Sequence, residues 1–407
     1  MSLRRNALLL ILLTGVLAVL GEWSPDFARA WCLPGALLLL GLAYEAAALG
    51  RCTLELHLLA PERWPLGRQR EVRCSLRQSS RRSLWSEVLL SAPEEFAADP
   101  CVVTLRLPPD LDCSAALSAT ARRLGLFSWP APLLRLGGPL GLAWWSRRMS
   151  LERAVTVVPD LIDRPEQAAG TVKTGAMRGR GIGAGLEILQ LRDYRRGDPL
   201  RVIDWKASAR RGRLVSRDLT EDQHLEVIVA VDAGRASGLG AGEIDRLGLY
   251  VNAAARLAQR AAILDDAVGV LVFAAQPLAR LAPARGTAAV IRIRNLLTAC
   301  RVHPGESNPV LAAARIRSMA ERRCFVVILT DLEDASAGEQ LLQAVRLLAP
   351  KHFALVAGFE SAQVQALSSA AAAEPLGAYR ALAALEYQHT VAANVRALRA
   401  AGAAALT

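Results

Sequence analysis

Two apolar runs near the N-terminus limit this chain more than any other feature. Ala7–Leu20 reads ALLLILLTGVLAVL and Ala30–Leu49 reads AWCLPGALLLLGLAYEAAAL, with GEWSPDFAR between them. A bilayer-spanning helix needs about 20 mostly apolar residues. The second run meets this; the first does so only when Asn6 and Gly21–Trp23 are added. Trp23 and Trp31 stand where interfacial aromatics would. A cleavable leader is the competing reading, because Arg4 and Arg5 precede the first run and Ala28-Arg29-Ala30 has the form of a cleavage site. That tripeptide lies about ten residues past the first run, and another apolar segment follows directly. A two-helix membrane hairpin over residues 1–50 is therefore expected. Arg4, Arg5 and Arg51 lie outside the helices, whereas the loop carries Glu22 and Asp26 against Arg29. The positive-inside rule then puts both termini in the cytoplasm. Glu45 falls near the cytoplasmic end of the second helix, where a carboxylate need not be buried.

Composition agrees with this. Apolar residues make up 52% of the 407, which is high for a soluble enzyme, and the net charge is +11. A basic balance suits anionic partners, either nucleic acid or lipid head groups, and a cytoplasmic face. Cys32, Cys52, Cys74, Cys101, Cys113, Cys300 and Cys324 are odd in number and show no CxxC pair. They argue against a disulfide framework or a zinc site and fit a reducing compartment. His57, His224, His303, His352 and His389 are scattered, and no HExxH pattern supports a metal hydrolase.

From residue 51 to 160 the texture changes. Thr53–Leu58, Glu71–Leu76, Val102–Leu107 and Val155–Val158 read as short strands, separated by Pro61, Pro65, Pro93, Pro100, Pro108-Pro109 and Gly137-Gly138-Pro139. Short strands at this spacing predict a small all-β, Ig-like sandwich. This many prolines exclude a helical domain. Residues 161–186 include the glycine-rich AAGTVKTGAMRGRGIGAG. It has no Lys-Ser/Thr and no preceding strand, so it reads as a linker and not as a phosphate loop.

Residues 187–407 alternate strands and helices. Val227–Val231, Val268–Phe273, Phe325–Thr330 and Phe353–Gly358 are continuous apolar strands. Ile244, Leu247, Val251, Ala254 and Ala258 recur at helical spacing, and Ile291–Cys300, Val310–Arg322 and Gln340–Leu348 also read as helices. This predicts a parallel sheet covered on both faces, with Ala401–Thr407 as a candidate last strand. Ligands of such sheets sit beyond the carboxyl ends of strands, where Asp232 and Asp331 fall.

Between linker and sheet lies LRDYRRGDPLRVIDWKASARRG, residues 191–212. Arg192, Arg195, Arg196, Arg201, Lys206, Arg210 and Arg211, with Tyr194 and Trp205, would suit nucleic acid. Asp193, Asp198 and Asp204 are interleaved with them, and Asp218, Glu221 and Asp222 follow. Those acids would repel phosphates, so nucleic-acid binding is not expected. No nucleophile–base pair accompanies the segment, so catalysis is not expected either. The remaining reading is a charge-balanced clasp, in which arginines fork onto Asp carboxylates and stack on Trp205, around a turn at Gly197-Asp198-Pro199.

Gly185-Leu-Glu187, Leu191–Asp198, Arg201–Trp205 and Ala207–Arg210 together resemble the signature of the bacterial "domain of unknown function" family 58. Val227–Asp232 and Val326–Asp331 resemble its adjoining von Willebrand factor A-like fold, a Rossmann-type α/β sheet. The upstream hairpin, sandwich and Gly138-Pro-Leu-Gly-Leu142 are similar to its usual arrangement. The resemblance implies a multi-pass inner-membrane protein with cytoplasmic soluble domains. It also implies action with a MoxR-type AAA+ ATPase and its clients in assembly or maturation of other proteins. The implied role is a non-enzymatic adaptor whose protein-binding or signature residues are Arg192, Tyr194, Arg195, Gly197, Asp198, Arg201, Asp204, Trp205 and Arg210.

The resemblance also raises a magnesium site, built on DxSxS, a second-loop Thr and a third-loop Asp. Here the first element reads Asp232-Ala-Gly234-Arg-Ala236-Ser237. Gly234 and Ala236 cannot ligate, Ser237 is one residue out of register, and Thr287 is the nearest second-loop candidate. Asp232, Ser237 and Asp331 therefore form a degenerate candidate set, and no cofactor is expected. The competing function is an outward-facing, metal-dependent adhesion module.

Overall fold

The computed structural model describes residues 2–22, 32–79, 83–149, 153–161, 182–195, 198, 200, 203–220, 225–240, 244–333, 335–359, 362–369 and 375–407. The chain divides into two units. One holds Met1–Asp160 with Leu239–Leu249 and Leu297–Arg301; the other holds Leu161–Gly238, Tyr250–Leu296 and Val302–Thr407.

The first unit opens with strand β1 (Ser2–Leu3) and helices α1 (Arg5–Gly21) and α2 (Cys32–Gly50). Among the described residues, α2 is the one helix long and apolar enough to cross a bilayer; the apolar stretch Arg5–Leu20 is shorter. The expected pair of spans thus reduces to one full-length candidate. Leu33, Leu37, Leu39 and Leu40 on α2 are exposed, as lipid-facing residues would be. Trp23 and Trp31 lie outside the described residues.

Then come β2 (Leu54–Leu59), β3 (Arg63–Pro65), β4 (Gln69–Gln78), β5 (Leu84–Leu90), β6 (Phe96–Ala97) and β7 (Cys101–Leu107). They continue with β8 (Cys113–Ala121), β9 (Gly125–Trp129), β10 (Leu133–Gly137), β11 (Ala143–Arg148) and β12 (Arg153–Val158). They form sheets of order β1-β11-β10-β5-β7, β2-β4-β8-β6 and β3-β12-β9. The first two are antiparallel throughout; in the third, β12 runs parallel to β3. Period-two burial carries the fold. Val72, Cys74 and Leu76 on β4 point inward with Leu56 and Leu58 on β2 and Leu117 and Ala119 on β8. Trp64 and Trp129 stack at 5.7 Å in the core, with the Phe96 ring edge-on to both. The Trp64 indole N–H donates to Arg68 O at 3.0 Å, so its polar end is satisfied.

Glu45 is fully buried, although its place near the helix end does not require it. Its Oε1 accepts from the backbone N–H groups of Leu140 and Leu142, both at 3.0 Å. Its Oε2 accepts from Ala143 N at 3.1 Å and from the Trp145 indole at 3.2 Å. A buried carboxylate needs such donors to offset lost hydration. Gly138 is required here, because a Cβ would fall on the Glu45 carboxyl. Arg147 donates to Leu49 O at 2.8 Å and Cys52 O at 3.0 Å, satisfying carbonyls at the end of α2. Arg4 lies over Trp144, 4.5 Å from the ring centroid. The apolar helices are therefore fastened to the β body by polar contacts on the loop before β11 and on β11 itself.

The second unit contains β13 (Ile182–Asp193), helix α3 (Trp205–Arg211) and β14 (Val215–Thr220), with β13 and β14 paired antiparallel. β13 begins inside the segment expected to be linker; residues 162–181 of that segment lie outside the described residues. Next along the chain come β15 (Glu226–Asp232), α4 (Arg246–Ile263, with Arg246–Leu249 counted in the first unit), β16 (Ala267–Phe273), β17 (Pro277–Ala284), α5 (Thr287–Thr298, with Leu297 and Thr298 counted in the first unit) and α6 (Pro309–Met319). The chain ends with β18 (Phe325–Leu329), α7 (Ala335–Leu348), β19 (Phe353–Ala357), α8 (Ala362–Ser369), α9 (Pro375–Ala400) and β20 (Ala404–Leu406). The sheet order is β17-β16-β15-β18-β19-β20, parallel except for β17. β16 is buried along its whole length, as a central parallel strand must be. Ile228, Val326 and Val356 pack with Ile316, Val345 and Leu348 from α6 and α7. Strand order reverses beside β15: β16 lies on one side, and β18, later in sequence, on the other. The carboxyl ends of β15 and β18 are thus the topological switch point.

Candidate functional site

Asp198 organises the segment that precedes the sheet. Arg192 donates to its two oxygens, at 2.7 and 2.9 Å, in a bidentate fork. The Arg195 N–H donates at 2.9 Å and the Ser216 hydroxyl at 3.1 Å. The guanidinium beside Asp198 holds its carboxyl well below the usual carboxylate range, helped by the Arg195 amide. Asp193 pairs with Arg213 at 2.9 Å, both largely exposed. An exposed pair of that kind contributes little.

Asp204 has another task. It is the N-cap of α3 and accepts from Ala207 N at 2.9 Å. Ser208 accepts from Val215 N at 2.9 Å, tying α3 to β14, and Ile203 and Val215 are buried beneath. The expected clasp thus forms around Arg192 and Asp198, while Asp204 caps a helix and does not fork to an arginine. Trp205 is 65% exposed, and the guanidinium–ring contacts among the described residues are those of Arg4 and Arg106, so the expected stacking is not seen there. Tyr194 is half-buried, and Arg195 and Arg210 are exposed. Gly197 and Arg201 lie outside the described residues, as do Arg196, Pro199, Glu221 and Asp222.

The second polar centre sits at the switch point. Asp232, buried at the end of β15, accepts at Oδ1 from Gly234 N at 2.8 Å and from the Ser307 hydroxyl. Its Oδ2 accepts from the Thr330 hydroxyl at 2.5 Å. Burial pushes the Asp232 carboxyl upward, opposed by the three hydrogen bonds. Ser307 reaches it because its loop is laced to the strand end. His303 N donates to Ala233 O, Arg235 N to Gly305 O and Asn308 N to Ala274 O, at 2.7, 3.0 and 2.9 Å. Gly234 leaves room for the contact, since a Cβ would strike Ser307 Oγ.

Of the candidate trio Asp232, Ser237 and Asp331, the last two make hydrogen bonds to groups other than Asp232. Ser237 donates to Gly234 O at 2.7 Å, and Asp331 accepts from Glu333 N at 3.1 Å in the following turn. Thr287 opens α5. The residues gathered at Asp232 are Ser307 and Thr330. Thr330 follows Leu329, which is in register with Val231, so adjacency to Asp232 comes from strand pairing. Ser307 precedes Asn308, the N-cap of α6, and that helix-start signal was its one trace in the sequence.

Magnesium takes oxygen ligands in octahedral array. One carboxylate and two hydroxyls are of the right kind. However, both carboxylate oxygens already accept protein donors, Gly234 and Ala236 add no side-chain oxygen, and Ser237 is turned to a backbone carbonyl. As arranged, the residues do not fit a magnesium site. Among the described residues no group of three His, Cys, Asp or Glu side chains converges.

Fold and site together define a multidomain α/β protein with several sheets, an apolar N-terminal helix and a charge-clasped hairpin leading into a mostly parallel sheet. Residues 190–361 match the model of a family described as "Protein of unknown function DUF58", which supports membership of that family. The match runs from β13 through β19 and includes both the Asp198 clasp and the Asp232 centre. No curated protein matches the chain.

Proposed function

We propose that this protein is a non-enzymatic, membrane-anchored adaptor. Its first unit is an Ig-like sandwich held at the inner membrane by the N-terminal helices, and its second is a von Willebrand A-like domain; both face the cytoplasm. Its partner is a MoxR-type AAA+ ATPase, with that ATPase's clients, in assembly or maturation of other proteins. No cofactor is needed for this role.

The observation that most supports the reading is the Arg192–Asp198 fork. The carboxylates of the segment go into internal order: one holds the turn, one caps α3 and one pairs at the surface. Groups so committed are poor catalysts but give a preformed surface with Tyr194 and Arg195 at its turn, which binds a partner without ordering cost.

The test is capture of a purified MoxR-type ATPase by the full chain in detergent. Wild type should retain the ATPase, and Arg195→Ala should release it without changing thermal stability. Equal retention by wild type and variant, or none by either, would sink the proposal. A reporter fused after Thr407 checks orientation: cytoplasmic activity supports the adaptor, and exported activity the adhesion module.

A further inference from the structure

Two of the signature residues, Trp205 and Arg210, are left out of the clasp. On α3, Ser208 faces inward and Ala207 is half-buried, while residues 205, 206, 209 and 210 are exposed. At 100° per residue these four occupy one side of the helix. That side presents the Trp205 ring, the Ala209 methyl and the cations of Lys206 and Arg210.

Two large apolar side chains flank the base of the helix. Leu200 is 71% exposed, in the turn whose carbonyl accepts from Ile203 N at 3.2 Å. Leu214 is 45% exposed, directly before Val215, whose carbonyl accepts from Asp204 N at 2.8 Å. An exposed Trp and two exposed Leu beside paired cations are the composition of a bilayer-interface element: rings and methyls enter the head-group boundary while cations meet phosphates.

We propose that the outer face of α3, with Leu200 and Leu214, docks on an anionic lipid surface. This deepens the membrane-anchored reading above and rests on it. Charge complementarity selects the occupant. Lys206 and Arg210 face outward with no acid between them, and the nearby acids are engaged: Asp204 on the Ala207 N–H and Asp193 on Arg213. An anionic bilayer answers the cations with its phosphates and takes Leu200 and Leu214 into the head-group boundary at the same time. The chain's own apolar helix, Cys32–Gly50, keeps a bilayer at high effective concentration, so two cations and three apolar side chains suffice. Trp205 and Arg210 are thereby assigned to the lipid, and Tyr194 and Arg195 remain for the protein partner.

The test uses the full chain reconstituted in phosphatidylcholine vesicles, with and without phosphatidylglycerol. Tryptic cleavage after Lys206, Arg210 and Arg211 is followed by mass spectrometry. Carbonate extraction of the same vesicles reads membrane integration. Cleavage at these sites should be about ten-fold slower in the anionic vesicles, and added salt should reverse much of the protection. Trp205→Ser with Lys206→Gln should remove the protection while leaving the melting temperature of the protein unchanged. Equal cleavage in both vesicle types, in a chain that resists carbonate, overturns this inference and leaves the anchoring intact. A chain that washes off with carbonate defeats the anchoring reading, and protection by anionic vesicles still decides the role of α3. Protection by soluble polyglutamate and not by anionic vesicles would overturn it in favour of an acidic protein.

Discussion

Asp198 and Asp232 lie in the same unit and in the same matched family segment, and each collects several donors, yet their surroundings push them in opposite directions. Asp198 faces a guanidinium, which favours its charged form strongly. Asp232 faces two hydroxyls and one amide, whose dipoles do not make up for burial. The difference shows that the number of hydrogen bonds does not by itself set the state of a carboxylate; the burial against which those bonds act decides it. It also separates their roles: a salt-linked clasp near the surface, and a polar tie that closes two strand ends inside the sheet.

The sharpest break is Asp232→Ala. It would leave the Ser307 and Thr330 hydroxyls and the Gly234 N–H without their acceptor, at a cost on the order of 3 kcal/mol in chemical denaturation. Asp232→Asn keeps an acceptor oxygen and relieves a buried charge, so it should cost far less. Equal losses in the two variants would contradict a purely hydrogen-bonded tie.

Arg192→Ala should rank next. It removes the fork from Asp198 and should raise amide exchange at Arg195, and Arg192→Lys should restore little because an ammonium cannot fork. Full rescue by lysine would show that net charge alone organises the turn.

Acidity distinguishes the two sites by sign. The folded pKa of Asp198 is lowered, so its contribution is present above the ordinary carboxylate range and is lost as pH falls from that range through the lowered folded value. The folded pKa of Asp232 is raised, so stability is lost as pH rises from the ordinary value through the folded one. Melting temperature against pH should therefore lose part of its acid-side fall in Asp198→Asn and part of its decline on the rising side in Asp232→Asn.

The smallest effect expected is that of Ser237→Ala, about 1 kcal/mol from one buried hydrogen bond. Calorimetric titration with magnesium should be the same before and after this change. A micromolar isotherm abolished by it would restore Ser237 as a ligand.

The legible parts of the fold were those with strong periodicity. Val268–Phe273 lies within β16, which starts one residue earlier, and Ala401–Thr407 contains β20. Strand β5 and the edge strand β17 were missed, as was α9, whose 26 residues are so rich in alanine that neither face stands out. In the candidate site, Asp198 could be read as the centre of a mixed-charge turn because its arginines are neighbours in sequence. Ser307 and Thr330 could not be paired with Asp232 in that way, because 75 and 98 residues separate them from it.

The sequence alone determined a basic chain with an apolar N-terminus, alternating strands before an α/β half, and a charge-rich marker between them. Local composition and period suffice for those features, since helix, strand and turn preferences act over a few residues. Only the tertiary structure decided that Glu45 is buried on a backbone loop, that Asp232 answers to hydroxyls, and that Trp205 is turned outward. Each depends on strand register and loop closure between distant segments, which no local pattern encodes.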